Sequence, residues 1–179
     1  RITPEGLAAL EALPFAPERY TARERELIRL DPSIVERQIG LTGEMGEAFA
    51  AYAGYLGSVL AACRAGDAAA VVFVVPHAVE VAPVYRERFE ALGARFDAPG
   101  TLASPESPFG LAVRRVVESQ PGAAFLDVKP ALRAAEAAGR SVYRNNDSHF
   151  APEGDRVVAD ALLPHLERSG FARERPDEQ

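Results

Sequence analysis

The sequence predicts an α/β fold built on a parallel sheet. Two short runs carry most of that expectation. Val71-Val72-Phe73-Val74-Val75 is β-branched and apolar on both faces, and Pro76 stops it. Ala124-Phe125-Leu126-Asp127-Val128 reads as a second buried strand. Strands buried on both faces belong in parallel sheets covered by helices, whereas half-solvated strands alternate apolar with polar residues. The third observation is the spacing of the segments around them, where apolar residues recur every three or four positions, as on one face of a helix. Strands alternating with helices define the α/β class.

The elements follow in order. Thr3-Pro4-Glu5 reads as an N-cap with Pro at the first helical position, and Pro14 and Pro17 interrupt the pattern. Thr21-Ala22-Arg23-Glu24 fits a capping box opening a second short helix. Asp31-Pro32 opens a third, which stops near Gly40. These pieces are short and polar-rich, so residues 1–43 are expected to form a helical insertion or lid rather than core. Residues 44–64 predict the longest helix, with Met45, Phe49, Tyr52, Leu56, Val59, Leu60 and Cys63 as its apolar stripe and Gly66-Asp67 at its end. After the first strand, residues 84–92 read as a helix with Gly93 beyond it. A short strand is expected at 94–97 and a loop, rich in Pro, Ser and Gly, at 98–108. Phe109, Val113, Val116 and Val117 give a helix over 109–118, and Gln120-Pro121-Gly122 a turn. Pro130 starts a helix that ends at Gly139. Pro152 starts the last one, kinked at Pro164 and closed by Gly170, before a charged tail over 172–179.

Composition narrows the function. At 179 residues and 47% hydrophobic, the chain is of single-domain size with enough apolar residues for a core. A net charge of −6 with mixed signs lacks the basic footprint of a nucleic-acid binder. No apolar run approaches the roughly 18 residues that span a bilayer. Cys63 is the single cysteine, which excludes an internal disulfide and a multi-Cys zinc site. Its place on the apolar stripe predicts a buried thiol.

In parallel α/β sheets, functional groups collect in loops at the carboxyl ends of the strands. The loop after Val75, the loop after Val128 and the segment Asn145-Asn146-Asp147-Ser148-His149-Phe150-Ala151-Pro152-Glu153-Gly154 qualify. In the last, Asp147 and His149 stand two residues apart at a loop-to-helix junction. Such an Asp can orient the imidazole and stabilise its charge, leaving the His to act as general base toward a hydroxyl. A purely structural role is the alternative: an Asp before a helix can bind its own backbone, and a His can be a satisfied buried group. His77 follows the first strand and, with Glu80, is a candidate pocket-lining, substrate-binding residue; a loop histidine without a task is the rival reading. His165, late in the last helix, suits the helix dipole. A zinc site from His77, His149 and Asp147 is chemically conceivable, but no ligand pair has helical metal spacing, and no metal is assigned. Ser148, Ser58, Ser104 and Ser107 are the candidate nucleophiles in the chain; none has a strand-to-helix elbow around it.

Over residues 45–170 the chain resembles the SGNH/GDSL hydrolase superfamily. The residues that carry the resemblance are the strand Phe125-Leu126-Asp127-Val128, the helix to Gly139, Val142-Tyr143, and Asp147-Ser148-His149-Phe150-Ala151-Pro152-Glu153-Gly154 followed by Val157-Val158-Ala159. The strand ending Val75-Pro76, followed by His77-Ala78-Val79, also looks like the later core strand of that family. The pattern is closer to the Asp-x-His subset, which includes carbohydrate O-acetyl-modifying relatives, than to the Asp-x-x-His lipases.

The resemblance implies a three-layer αβα fold with a parallel sheet, incomplete in this chain, and residues 44–171 as the C-terminal part of such a domain. It implies a serine esterase with Asp147 as triad acid and His149 as base, needing no metal or organic cofactor. The substrate would be a small-molecule or carbohydrate ester, plausibly an acetyl ester. Gly-Asp-Ser and Gly-x-Asn-Asp blocks are absent from the sequence, so the nucleophile and oxyanion donors are expected from an N-terminal half of the same domain, which becomes a partner. With central strands unpaired, these 179 residues alone are expected to associate through sheet edges. The alternative reading is a non-catalytic α/β module that binds carbohydrate or a protein partner.

Overall fold

A computed structural model describes residues 13–168, together with Gly6 and Ala9. The helix expected to open at Thr3 and the features beyond residue 168 lie outside the described residues. After a 3-10 turn at Pro17–Arg19 come α1 (Ala22–Leu30), α2 (Ile34–Gly40), α3 (Glu44–Ala65), β1 (Ala70–Phe73), α4 (Ala78–Val81) and α5 (Pro83–Ala91). They are followed by α6 (Pro99–Ala103), α7 (Pro108–Glu118), β2 (Ala123–Leu126), α8 (Lys129–Ala137) and α9 (Pro152–Arg168). The fold is mixed and largely helical, with β1 and β2 forming a two-stranded parallel sheet compatible with the α/β class. The register runs from Ala70 opposite Ala123 to Phe73 opposite Leu126.

Alternate strand residues enter different clusters, because successive side chains point to opposite faces of a sheet. Val71, Phe73 and Leu126 pack with Val128, Leu132, Ala135, Val142, Tyr143, Val157 and Val158. Val72, Val74 and Phe125 pack instead with Leu56 and Leu60 of α3 and Val113 and Val117 of α7. A third cluster joins Tyr20, Ile28, Val35 and Ile39 to Val79, Phe89, Ala94 and Leu102. Tyr20, Ile28, Val35 and Ile39, from the segment expected to be a helical insertion or lid, are thus buried in an apolar cluster. Short polar-rich helices each supply only one or two apolar anchors, too few to register as core-forming by composition.

Other expectations are corrected. The stripe on α3 buries only Leu60 fully; Tyr52 and Val59 are exposed, and Cys63 is half-buried rather than buried. Periodicity fixed the helix but not how much of its 22 residues would find a partner. Thr21 does not cap the backbone: its hydroxyl donates to Glu24 Oε2 at 2.5 Å. Residues 94–97 form no strand: Ala94 donates its N–H to the Phe89 carbonyl at the end of α5, and Arg95 donates its N–H to the Pro32 carbonyl before α2. The segment 98–108 is not wholly loop but contains α6. Gly93, Gly122 and Gly139 close elements with positive φ, as expected of the turns placed there.

The start of α9 explains the glycine of the Asp-x-His-Phe-x-Pro-x-Gly run. Gly154 is buried, and a Cβ there would run into the Val142 carbonyl oxygen and lie 2.8 Å from Phe150 Cδ1. The helix thus sits directly on the Val142–Tyr143 backbone, an approach no side chain permits. Gly154→Ala is expected to destabilise the fold by about 1–3 kcal/mol through this overpacking, against the gain that alanine usually brings within a helix. Urea denaturation of the two proteins measures the difference; equal midpoints would contradict the close approach.

Candidate functional site

The Asp147–His149 loop is closed at its neck. Tyr143 and Phe150 form an antiparallel bridge. Arg144 N–H donates to His149 O at 3.1 Å, and Ala151 N–H to Val142 O at 2.9 Å. Tyr143, 2% exposed, lies against Phe150 and Tyr85 with ring centroids 4.9 and 5.3 Å apart. Its hydroxyl donates to Pro76 O, where the chain leaves β1. Its backbone N–H donates to Tyr85 Oη at 3.2 Å, and Tyr85 in turn donates to Glu136, which also accepts Val142 N–H at 2.6 Å. Burial raises both phenols well above their ordinary range, so they act as neutral donors.

Two asparagines tie the loop to the segment before the first turn. Ala16 N–H donates to Asn146 Oδ1 at 2.9 Å, and Asn145 Nδ2 donates to Leu13 O at 3.0 Å. Asn146 Nδ2 donates to Pro14 O at 3.1 Å.

Within this frame the two predicted residues meet. Asp147 Oδ1 lies 2.6 Å from His149 Nδ1 and also accepts the His149 backbone N–H at 3.2 Å. A carboxylate oxygen at Nδ1 selects the Nδ1–H tautomer and leaves the Nε2 lone pair available. The imidazole is 79% exposed and the carboxylate 28%. Both line an open cleft of about 580 Å³ with Val75, Arg144, Ser148, Phe150 and Asp155. The bond to the carboxylate, rather than burial, therefore fixes the ring.

Of the serines weighed as nucleophiles, Ser148 lines this cleft, between the pair itself. The other three are engaged with backbone. Ser58 Oγ donates to Gly54 O at 3.0 Å, Ser104 Oγ donates to Glu106 O at 2.7 Å, and Ser107 caps α7 by accepting Gly110 N–H at 3.3 Å.

A second cleft, of about 540 Å³, adjoins the first through Val75 and Ser148. Its walls are mainly Met45, Phe49 and Tyr52 of α3, Phe109 of α7, and Val74, Val75 and Pro76. His77 and Glu80 both line it, and the Nδ1 of His77 is engaged in capping. It caps α4: Nδ1 accepts Val79 N–H at 3.4 Å, and Glu80 Oε2 accepts the His77 N–H at 2.9 Å. The ring meets Phe89 edge-on at 4.7 Å. Glu80 forms a buried ion pair with Lys129, 2.6 Å from Nζ to Oε1, that locks the β1 exit to the start of α8. Sequence reasoning missed this pair, the bonds of Tyr85 to Glu136 and Tyr143, and the asparagine ties, because each joins residues dozens of positions apart. The proline-flanked Lys129 carried no signal that a lysine there would be buried.

His165 is half-buried in the last turns of α9. Among the described residues, no group of three or more His, Cys, Asp and Glu is arranged to hold a metal ion, and no helix is long and apolar enough to cross a membrane. Comparison with family models, curated proteins and solved structures finds no match to this chain.

Desolvation lowers the His77 pKa to about 4, the nearby Glu80 carboxylate opposing the shift. The unfolded chain takes that proton near pH 6.5, so between pH 6.5 and 4 the unfolded state binds more protons than the folded one. Stability attributable to His77 is therefore intact above pH 6.5 and falls as pH drops toward 4, by roughly 3 kcal/mol in all. Asn retains capping ability without titrating. His77→Asn should flatten the pH dependence of unfolding between pH 7 and 4. Parallel curves for the two proteins would contradict the assignment.

Proposed function

We propose that the chain carries the proton-handling part of an SGNH-type serine esterase, with Asp147 as the acid that orients and His149 as the base. The observation that carries this reading is the 2.6 Å contact from Asp147 Oδ1 to His149 Nδ1, on a ring whose far side opens to a cleft. The three-layer αβα arrangement belongs to the same proposal. Its support is that Val71 and Phe73 pack among residues of α8 and α9, while Val72 and Val74 pack against α3 and α7.

The chemistry is acyl transfer. A serine hydroxyl, supplied from outside the motifs of this chain, adds to the ester carbonyl as its proton passes to His149 Nε2. Asp147 stabilises the imidazolium. Collapse of the tetrahedral intermediate breaks the bond to the leaving alcohol, which takes that proton. Water then attacks the acyl-enzyme by the same relay, releasing the carboxylic acid and restoring the serine. The substrate is a small acyl ester or an acetylated carbohydrate, and no metal or organic cofactor enters the scheme.

A second reading is favoured by the 79% exposure of His149 and by the backbone bonds that hold Ser58, Ser104 and Ser107. In that reading the chain is a non-catalytic α/β module that binds carbohydrate or a protein partner.

The full-length protein and its His149→Ala variant, both checked for folding by circular dichroism, separate the two. The esterase reading predicts turnover of a chromogenic acetyl ester that falls on the order of 10⁴-fold in the variant. It also predicts covalent labelling of a serine by a phosphonate in the wild type. Turnover unchanged by the substitution would exclude His149 as the base, and absence of both turnover and labelling in the full-length protein would favour the binding module.

A further inference from the structure

The cleft beside the Asp–His loop has properties of its own. Three aromatic rings form one wall: Phe49, Tyr52 and Phe109 lie with centroids 5.8, 5.8 and 6.4 Å apart. Tyr52 is 45% exposed and Val75 54%, although both are large and apolar. The volume of about 540 Å³ lies within the range of small-molecule sites, which are mostly apolar with a few polar groups. Among the lining residues there is no Lys or Arg. Glu24 is the carboxylate at its edge, and that of Glu80 is already neutralised by Lys129. An anion would meet repulsion and no counter-charge. Val75 and Ser148 line this cleft and the Asp147–His149 cleft alike, so a group seated here continues toward the imidazole.

We infer that this cleft binds the acyl portion of the substrate and that, of the two classes proposed above, it favours the acyl ester over the acetylated carbohydrate: the group it takes is uncharged, apolar and larger than acetyl, a medium-length alkanoyl chain. The inference rests on the esterase reading for the word substrate, but the binding it asserts does not require turnover. An acetyl group would leave most of the aromatic wall in water. A six-carbon chain adds four methylenes, and each one buried strengthens binding severalfold.

Met45 is the single methionine among these 179 residues and lines the cleft, so its ¹³C-methyl resonance, identified by its loss in Met45→Leu, reports occupancy. N-methylhexanamide, an uncharged analogue of a hexanoyl ester that resists hydrolysis, is the probe, with N-methylacetamide as the short control. The full-length protein should show a saturable Met45 shift with the hexanoyl amide and at least tenfold weaker binding of the acetyl amide. Ala48 is exposed on α3 and lines the cleft, so Ala48→Trp fills it without touching the core, while Ala51→Trp, exposed and outside the lining, is the matched control. Ala48→Trp should weaken the probe at least fivefold and Ala51→Trp leave it unchanged.

His149→Ala should bind the probe as the wild type does. Probe binding in a protein without ester turnover would uphold the cleft and reject the esterase. Turnover of esters with no saturable Met45 shift, or equal binding of the two amides, would overturn the cleft assignment and leave the esterase standing. A hexanoyl shift insensitive to Ala48→Trp would also overturn it.

Discussion

The single constraint on which the site depends is the closed neck of the 144–151 loop. The bridge between Tyr143 and Phe150 brings the two ends of that loop together, and Gly154 lets α9 press onto the same backbone. With its ends fixed, a loop of so few residues has little freedom left, and Asp147 and His149 fall within hydrogen-bonding distance. An exposed ion pair on a free loop would contribute little, because holding two side chains together offsets most of the attraction. Here the backbone has already been ordered by contacts elsewhere, and the pair forms at small additional entropic loss.

Those contacts reach through the molecule. Tyr143 is held at once by Pro76 at the end of β1, by Tyr85 on α5 and, through Tyr85, by Glu136 on α8. The β1 exit is held in turn by the His77 cap and by the buried pair of Glu80 with Lys129. Removing one partner of a buried ion pair leaves a charge without compensation, which typically destabilises by several kcal/mol. The parallel strands thus fix the height of two loops relative to each other, and the polar links carry that positioning to the imidazole. Such an arrangement matches the general rule that sites in parallel sheets form beyond the carboxyl ends of strands.

Much of this was legible in the residues. The β-branched run at 71–75 and the apolar run at 124–128 marked the two strands, and Pro-led, Gly-ended segments marked the helices after them. Asp147 and His149 were legible as a pair because their contact is local: two residues of a tight loop need no knowledge of the tertiary structure. What escaped was long-range. Tyr20 follows the 3-10 turn, and Ile28, Val35 and Ile39 lie in short polar-rich helices; packing with Val79, Phe89 and Leu102 makes them core. The stripe on α3 predicted burial that packing did not provide, and Tyr52, an exposed member of it, is part of the aromatic wall of the second cleft. His77 lines a cleft, as its place after a strand suggested, but its Nδ1 also accepts from the backbone of α4, a geometry that spacing alone does not encode.

His149 can serve as the base only if Nδ1, rather than Nε2, carries its proton. Long-range ¹⁵N–¹H correlation spectra of histidine-labelled protein at neutral pH resolve this for each of the three histidines. The geometry gives opposite answers for two of them: Nδ1–H for His149, where Asp147 accepts, and Nε2–H for His77, where Nδ1 accepts from Val79. A dominant Nδ1–H form at His149 beside an Nε2–H form at His77 is the predicted result. An Nε2–H majority at His149 would show that the carboxylate does not hold the ring, and the relay built on it would fail.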